Sequence, residues 1–193
     1  MTSPFPALEK PKALVALRWA IGIVLVVGLI GCVAKGANSP PDPFLASPSS
    51  AAASRTRLVG FDETRITVKT GASVLEWCLL LAQTEQQRAR GLMQVTDPTL
   101  GGYDGMLFRY DTDVTEQYWM RNTPMPLSIA FLSSAGQLVS AVDMAPCVDS
   151  PDCQNYPAGG PYRMAIEVPQ GKLPALGITQ GATVVDDNAA CSA

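Results

Sequence analysis

Residues 64–193 predict a mainly β domain, a compact antiparallel sandwich or barrel with one or two short helices. Three observations carry this reading. Apolar residues recur at every second position in short runs. Clusters of Gly, Pro, Ser and Asp punctuate those runs, and a helix-start signature stands out at one place. Many short strands with frequent turns and scraps of helix build a sandwich or barrel.

The elements follow in order. Ile66 and Val68 alternate with Thr67 and Lys69, as in a half-buried strand. Val74 to Leu81 reads VLEWCLLL, a buried strand interrupted by Glu76. Thr84-Glu85-Gln86-Gln87 fits a capping box, so a short helix runs to about Arg90, where Gly91 ends it. Gly105 to Tyr110 and Gln117 to Met120 predict strands, with Asp111-Thr112-Asp113 as a turn between them. Pro124 and Pro126 exclude regular structure over Asn122 to Pro126, because each fixes φ and removes a donor. Leu127, Ile129 and Phe131 alternate as a strand, Ser133 to Gly136 is a hairpin turn, and Gln137 to Met144 returns. Met164, Ile166 and Val168 alternate with Arg163, Ala165 and Glu167. Gly171 to Leu176 makes a helical turn, and Ala182 to Val185 closes as a strand.

The N-terminus reads as an address. Lys10, Lys12 and Arg18 precede an uncharged run, Trp19 to Ile30, which is the pattern of an export signal. A comfortable membrane span needs roughly 20 apolar residues, and Arg18 blocks extension upstream. Leu29-Ile30-Gly31-Cys32 resembles the lipobox of bacterial lipoproteins, which implies cleavage before Cys32 and acylation of its thiol. Two acyl chains hold a protein at a membrane far better than one. The alternative is an uncleaved signal anchor over residues 1–31. Both place the remainder outside the cytoplasm, since the basic residues lie on the N-terminal side. Residues 32–63, which include GANSPPDPFLASPSSAAAS, are too poor in bulky apolar groups to fold and predict a tether.

Composition narrows function. From Val33 onward 11 Lys and Arg face 16 Asp and Glu, a balance of −5, with no basic run, which argues against nucleic acid. The chain has no histidine, which excludes His-dependent triads, His zinc sites and imidazole catalysis. Besides Cys32 four cysteines remain, an even number that favours disulfides outside the cytoplasm. Cys147 and Cys153 bracket VDSPD and are the natural local pair, leaving Cys78 with Cys191. No CxxC and no zinc spacing occur, so no metal or cofactor is expected.

Between Gly91 and Phe131 stand Gly91-Leu92-Met93, Gly105-Met106-Leu107-Phe108, Tyr118-Trp119-Met120-Arg121-Asn122-Thr123-Pro124-Met125-Pro126-Leu127 and Ile129-Ala130-Phe131. With Gly136, Ala165-Ile166-Glu167-Val168-Pro169 and Gly171, this series resembles the DUF192 family, a domain of unknown function, over about Arg65 to Val185. The resemblance implies a compact, mainly β, jelly-roll-like domain. Two positions depart from the family pattern: Ser128 stands where an acid is usual, and Gln94 where a basic residue is common nearby.

Candidate chemistry lies first at Arg121, Asn122 and Thr123, between an aromatic strand end and a proline-stiffened loop. Arg121 suits a carboxylate or phosphate, with Asn122 and Thr123 adding neutral hydrogen bonds, and Trp119 anchors the strand beneath. The competing role for Arg121 is an internal ion pair with a carboxylate such as Glu167. Glu76, Asp104, Asp143 and Glu167 are the acids from which an acid–base pair would come. Met93, Met106, Met120, Met125, Met144 and Met164 suit core filling better than Cu(I), having no close repeat. The function expected is a lipid-anchored extracytoplasmic module that binds a small molecule, glycan or envelope partner without catalysis. The alternatives are an envelope enzyme using carboxylates and Arg121, and a structural envelope protein.

Overall fold

Period-two patterning and turn chemistry build nine strands and one helix among the described residues, which in this computed structural model are 54–192. The apolar N-terminal run, Cys32 and most of the tether lie outside them. The order is β1 (Asp62–Thr70), β2 (Ser73–Ala82), α1 (Glu85–Arg90), β3 (Gly105–Val114), β4 (Gln117–Trp119), β5 (Leu127–Leu132), β6 (Leu138–Met144), β7 (Asn155–Pro157), β8 (Tyr162–Pro169) and β9 (Thr183–Asp186). Seven strands form one sheet in the order β6-β5-β8-β3-β2-β1-β9, and β4 with β7 form a small second sheet. The mainly β, sandwich-like class read from the sequence is the class found. Among the described residues no helix is long and apolar enough to cross a membrane.

The pairing departs from an all-antiparallel sheet at one place. β2 and β3 run parallel, from Leu79 opposite Gly105 to Ala82 opposite Phe108. Parallel neighbours cannot be joined by a tight turn and need a crossover, which residues 83–104 supply. α1 lies in that crossover and starts as its sequence predicts. The Thr84 hydroxyl accepts from the Gln87 N–H, and the Gln87 side chain accepts from the Thr84 N–H. Such a cap stabilises a helix by about 1 kcal/mol.

The central strands are buried on both faces. Leu80, Phe108, Ile129 and Phe131 enter one core, while Leu79, Leu107, Ala130 and Ile166 enter the other. All six residues of β5 are buried. The first core is covered by Leu92, Leu100 and Tyr103 of the crossover and by Met120, Met125 and Tyr156 beside the small sheet. The second is covered by Leu173, Leu176, Ile178 and the β9 residue Val184. Each fully buried side chain of this kind stabilises by about 1.5–3 kcal/mol relative to its exposed state.

The sheet curls until its edges touch without closing into a barrel. Gln137, at the start of β6, bridges Thr183 of β9, and the Val184 N–H donates to the Gly136 carbonyl at 2.9 Å. Gly136 sits at φ +73°, and a Cβ there would lie 1.9 Å from the Val184 oxygen. The hairpin turn therefore needs glycine both for its backbone and for the approach of the opposite edge.

Two local expectations are corrected, and one strand was not foreseen. Asp111 to Asp113 is strand, not turn: β3 continues to Val114 through a register shift, and Asp113 pairs with Arg163 of β8 at 2.8 Å. The first half of β2 lies outside the core, with Val74 62% exposed. β7 was not expected, because three residues ending in proline carry no readable period. Upstream, Phe61 is buried and Leu58 packs on the first core, so packing begins before residue 64.

Both disulfides join the pairs read from the sequence, Cys78–Cys191 and Cys147–Cys153, with Cα separations of 5.6 and 5.9 Å. The first spans 113 positions and the second 6. Loop-closure entropy then assigns about 5 kcal/mol to the long bridge and about 2 kcal/mol to the short one. Paired Cys→Ala variants should differ accordingly in denaturant midpoint, Cys78/Cys191 being the more damaging.

Candidate functional site

Glu167 lies on β8 in the middle of the sheet. Its ladder neighbours are Met106 on β3 and Ile129 on β5, both fully buried. Its face is the first-core face, an apolar surface in which a carboxyl is out of place. The side chain is 5% exposed. Among the described residues none hydrogen-bonds to the Glu167 carboxyl, and burial alone pushes it up from 4.5 to about 8. A carboxyl without a partner in such surroundings stays protonated near neutral pH.

Glu167 is among the residues lining a cavity of about 310 Å³. Four aromatic residues line it, Phe108 and Tyr110 from β3 and Tyr118 and Trp119 from β4. Above them α1 contributes Glu85, Arg88 and Arg90, the following loop Leu92 and Met93, and the segment before β4 Glu116. Gly91 ends the helix at φ +47°, where a Cβ would press on the Phe108 ring at 3.3 Å. The helix end is thereby seated on the cavity wall.

Edge-to-face contacts stiffen the aromatic wall. Tyr118 meets Phe108 with ring centres 5.1 Å apart and Phe131 at 5.6 Å, while Tyr162 meets Phe131 at 5.0 Å and Tyr110 at 5.5 Å. Each such pair adds about 0.5–1.5 kcal/mol beyond area burial. The Tyr110 and Tyr118 hydroxyls share a hydrogen bond of 3.0 Å, and desolvation pushes the Tyr118 hydroxyl well above its ordinary range. These phenols stay neutral under physiological conditions.

The two arginines of the cavity rim are already engaged. Arg88 donates to the carbonyls of Gln83 and Arg109 and stacks over the Tyr110 ring at 4.7 Å. Arg90 donates to the Val59 carbonyl and stacks over Phe61 at 5.0 Å. Neither makes an ion pair with Glu167.

Of the residues singled out in the sequence, Thr123 and Glu167 line the cavity, whereas Arg121 and Asn122 are not among its lining residues. Arg121 stacks over Trp119 at 5.8 Å, its buried Nε has no hydrogen-bond partner among the described residues, and no ion pair joins it to Glu167. Asn122 takes a positive φ of 53°, and its carbonyl accepts from the Gln94 N–H at 2.8 Å. Thr123 donates its hydroxyl to the Arg121 carbonyl at 3.3 Å. Trp119 is 42% exposed, so it walls the cavity mouth rather than anchoring a strand from beneath.

The other acids are dispersed. Glu76 is exposed on β2. Asp104 accepts from the Cys78 N–H at 2.9 Å, and desolvation raises its carboxyl. Asp143 accepts from the Ser128 hydroxyl and the Gln170 amide, which hold it below the usual range. Ser128 pairs with Val168 across the ladder, so this departure from the family pattern lies on the face opposite Glu167. Met106, Met120, Met125, Met144 and Met164 are buried, and Met93 lines the cavity. Glu63 sits beside Cys78 and Cys191, whose sulfurs are bonded to each other and are not thiolate ligands.

Sequence reasoning passed over Tyr110, Tyr118, Arg88 and Glu116 as cavity residues. A signal was present in Phe108-Arg109-Tyr110, two aromatics on one face of a strand, and in Glu167, the one acid inside a strand otherwise apolar at its centre.

Comparison with known proteins adds the family. A family model, DUF192, described as an uncharacterised ACR, matches residues 66–185. A crystal structure of a protein of unknown function from Novosphingobium aromaticivorans DSM 12444 is 29% identical. It covers 70% of this chain and 94% of its own, with a TM-score of 0.59. A structure from Sinorhizobium meliloti 1021, named there as a candidate transcription regulator, is 23% identical. It covers 68% of this chain and 99% of its own, at a TM-score of 0.56, and shares the fold. No curated protein matches the chain.

The buried acid has a consequence for stability. Unfolded, Glu167 titrates near 4.5; folded, near 8. Between these values the folded chain keeps a proton that the unfolded chain has lost. Stability from this group is therefore fully present below pH about 4.5 and falls until about 8, by on the order of a few kcal/mol. Glu167→Gln should remove that slope and be more stable than wild type at alkaline pH. Denaturant unfolding of both proteins between pH about 5 and 9 checks it.

Proposed function

The chain belongs to the DUF192 family, and we propose that this member is a binding module that holds a small organic molecule in the cavity above Glu167. The observation that carries the reading is that Glu167, whose carboxyl has no partner among the described residues, lines an aromatic-walled cavity. A mostly apolar concavity with a few convergent polar groups is the usual form of a small-molecule site. Burying a carboxyl on an apolar face costs stability, and a fold that only needed a core would place Leu or Met there.

The module works outside the cytoplasm, tethered to the cell membrane by lipid on Cys32. The lipobox-like Leu29 to Cys32 supports this, and the two disulfides fit an oxidising compartment. A second reading, an envelope enzyme with a carboxylate pair, is supported by Glu85 and Glu116 lining the same cavity as Glu167. Turnover of a cavity ligand, lost on removing either of two acids, would mark that class.

One measurement tests the anchor and a second the binding role. Radiolabelled palmitate should enter the wild-type chain in a bacterial host and be absent from Cys32→Ser. Native mass spectrometry of the full chain, extracted in mild detergent, should show a retained small molecule. Trp119→Ala, which opens the cavity mouth without touching the core, should lose it at least tenfold more readily. A chain that retains nothing and binds no small molecule would sink the binding role.

A further inference from the structure

Resting on that binding reading, we infer that the cavity takes an organic cation, a quaternary or other ammonium group on a small body, with its charge against the Glu167 carboxylate and its flanks against the Tyr118, Trp119 and Phe108 rings. Three features of the site lead there. The first is the missing counter-charge. Glu167 is 5% exposed, has only Met106 and Ile129 as ladder neighbours, and receives no hydrogen bond from the described residues. It lines the cavity, so a counter-ion for its ionised form would come from a ligand.

The second is that the rim cations are spent. Arg88 and Arg90 each donate to backbone carbonyls and lie over rings of the chain itself. A ligand anion would have to pull them from those bonds and would then meet Glu85 and Glu116 on the same rim. Three carboxyls against two engaged arginines disfavour an anion. The third is the wall. Phe108, Tyr110, Tyr118 and Trp119 line the cavity, and two of these rings already hold cations of the chain itself, Tyr110 under Arg88 and Trp119 under Arg121. A neutral polyol would use a protonated Glu167 as donor, and the pH dependence of binding separates it from a cation.

The charged and titratable groups that share the cavity lining with Glu167 are few. They are Glu85, Arg88 and Arg90 from α1, Tyr110 from β3, Glu116, and Tyr118 from β4. Burial pushes the Glu167 carboxyl up to about 8, so its protonation changes near neutral pH. A cation that seats on the carboxylate must expel its proton to solvent. Affinity for a permanently charged cation should therefore rise about tenfold per pH unit up to about 8 and then level off. A neutral ligand hydrogen-bonded to the protonated acid shows the reverse.

The test is isothermal titration of the full chain in detergent at pH 6, 7, 8 and 9. The probes are choline, its uncharged isostere 3,3-dimethylbutan-1-ol, and benzoate. Choline should bind at least tenfold more tightly than the isostere, with affinity rising to pH 8 and about one proton released per choline bound at pH 6. Glu167→Gln, isosteric with the protonated acid, should fold and lose choline at least tenfold, with the pH slope abolished. Trp119→Ala should weaken choline while keeping the slope. Equal binding of the isostere, preference for benzoate, affinity that falls with pH, or no choline binding at millimolar concentration would each overturn the cation. A retained neutral or anionic molecule in the mass spectrum would do the same while leaving the binding role intact.

Discussion

The centre of this fold must be dry on both sides of one sheet, and most of the structure follows from that. β8 lies between β5 and β3 with one core on each face. Such strands cannot alternate apolar and polar residues, because neither face has water to receive the polar set. The run Leu127 to Leu132 obeys this except at Ser128, whose hydroxyl is hydrogen-bonded to Asp143 and the Gly171 N–H, and β8 obeys it from Met164 to Val168 with the exception of Glu167. A carboxyl at that position is costly unless the fold leaves room beside it. The room is the cavity.

What shapes the cavity is the parallel pairing of β2 and β3. That pairing obliges the chain to cross over between them, and the crossover brings α1 above the first-core face. Gly91 permits the sharp exit of the helix against Phe108, and the arginines of its last turn reach back to carbonyls of neighbouring segments. On the other side, β4 hangs Tyr118 and Trp119 from a small separate sheet held by β7. Walls from three different parts of the chain thus converge over one residue of a fourth. The edge-to-face contacts among Phe108, Tyr118, Phe131 and Tyr162 keep these parts in register, since each ring packs on a neighbour from another strand.

Reading the sequence located most strands because turn chemistry and alternation are local properties. Gly136 marked a hairpin, Thr84 and Gln87 a helix start, and Cys147 with Cys153 a short loop, each from neighbours within six positions. Arg121 with Asn122 and Thr123 looked like a site for an equally local reason, a rigid loop after an aromatic strand end. The structure places Thr123 at the cavity and turns Arg121 onto Trp119 outside its lining. Glu167 was read as the polar half of an alternating strand, which assumes solvent on one face. Burial of both faces makes it the least ordinary residue in the domain.

By itself, then, the sequence determined the family, the mainly β class, the helix cap, the cysteine pairs and the acidic, histidine-free chemistry available to any site. These rest on composition and on contacts between near neighbours, or on elimination among four thiols. Tertiary structure alone decided that β2 and β3 run parallel, that β8 has no wet face, and that Phe108, Tyr118, Arg88 and Glu167 meet. Those facts depend on which distant segments are adjacent. Long-range adjacency is set by the simultaneous burial of two cores, a condition that no single stretch of sequence records.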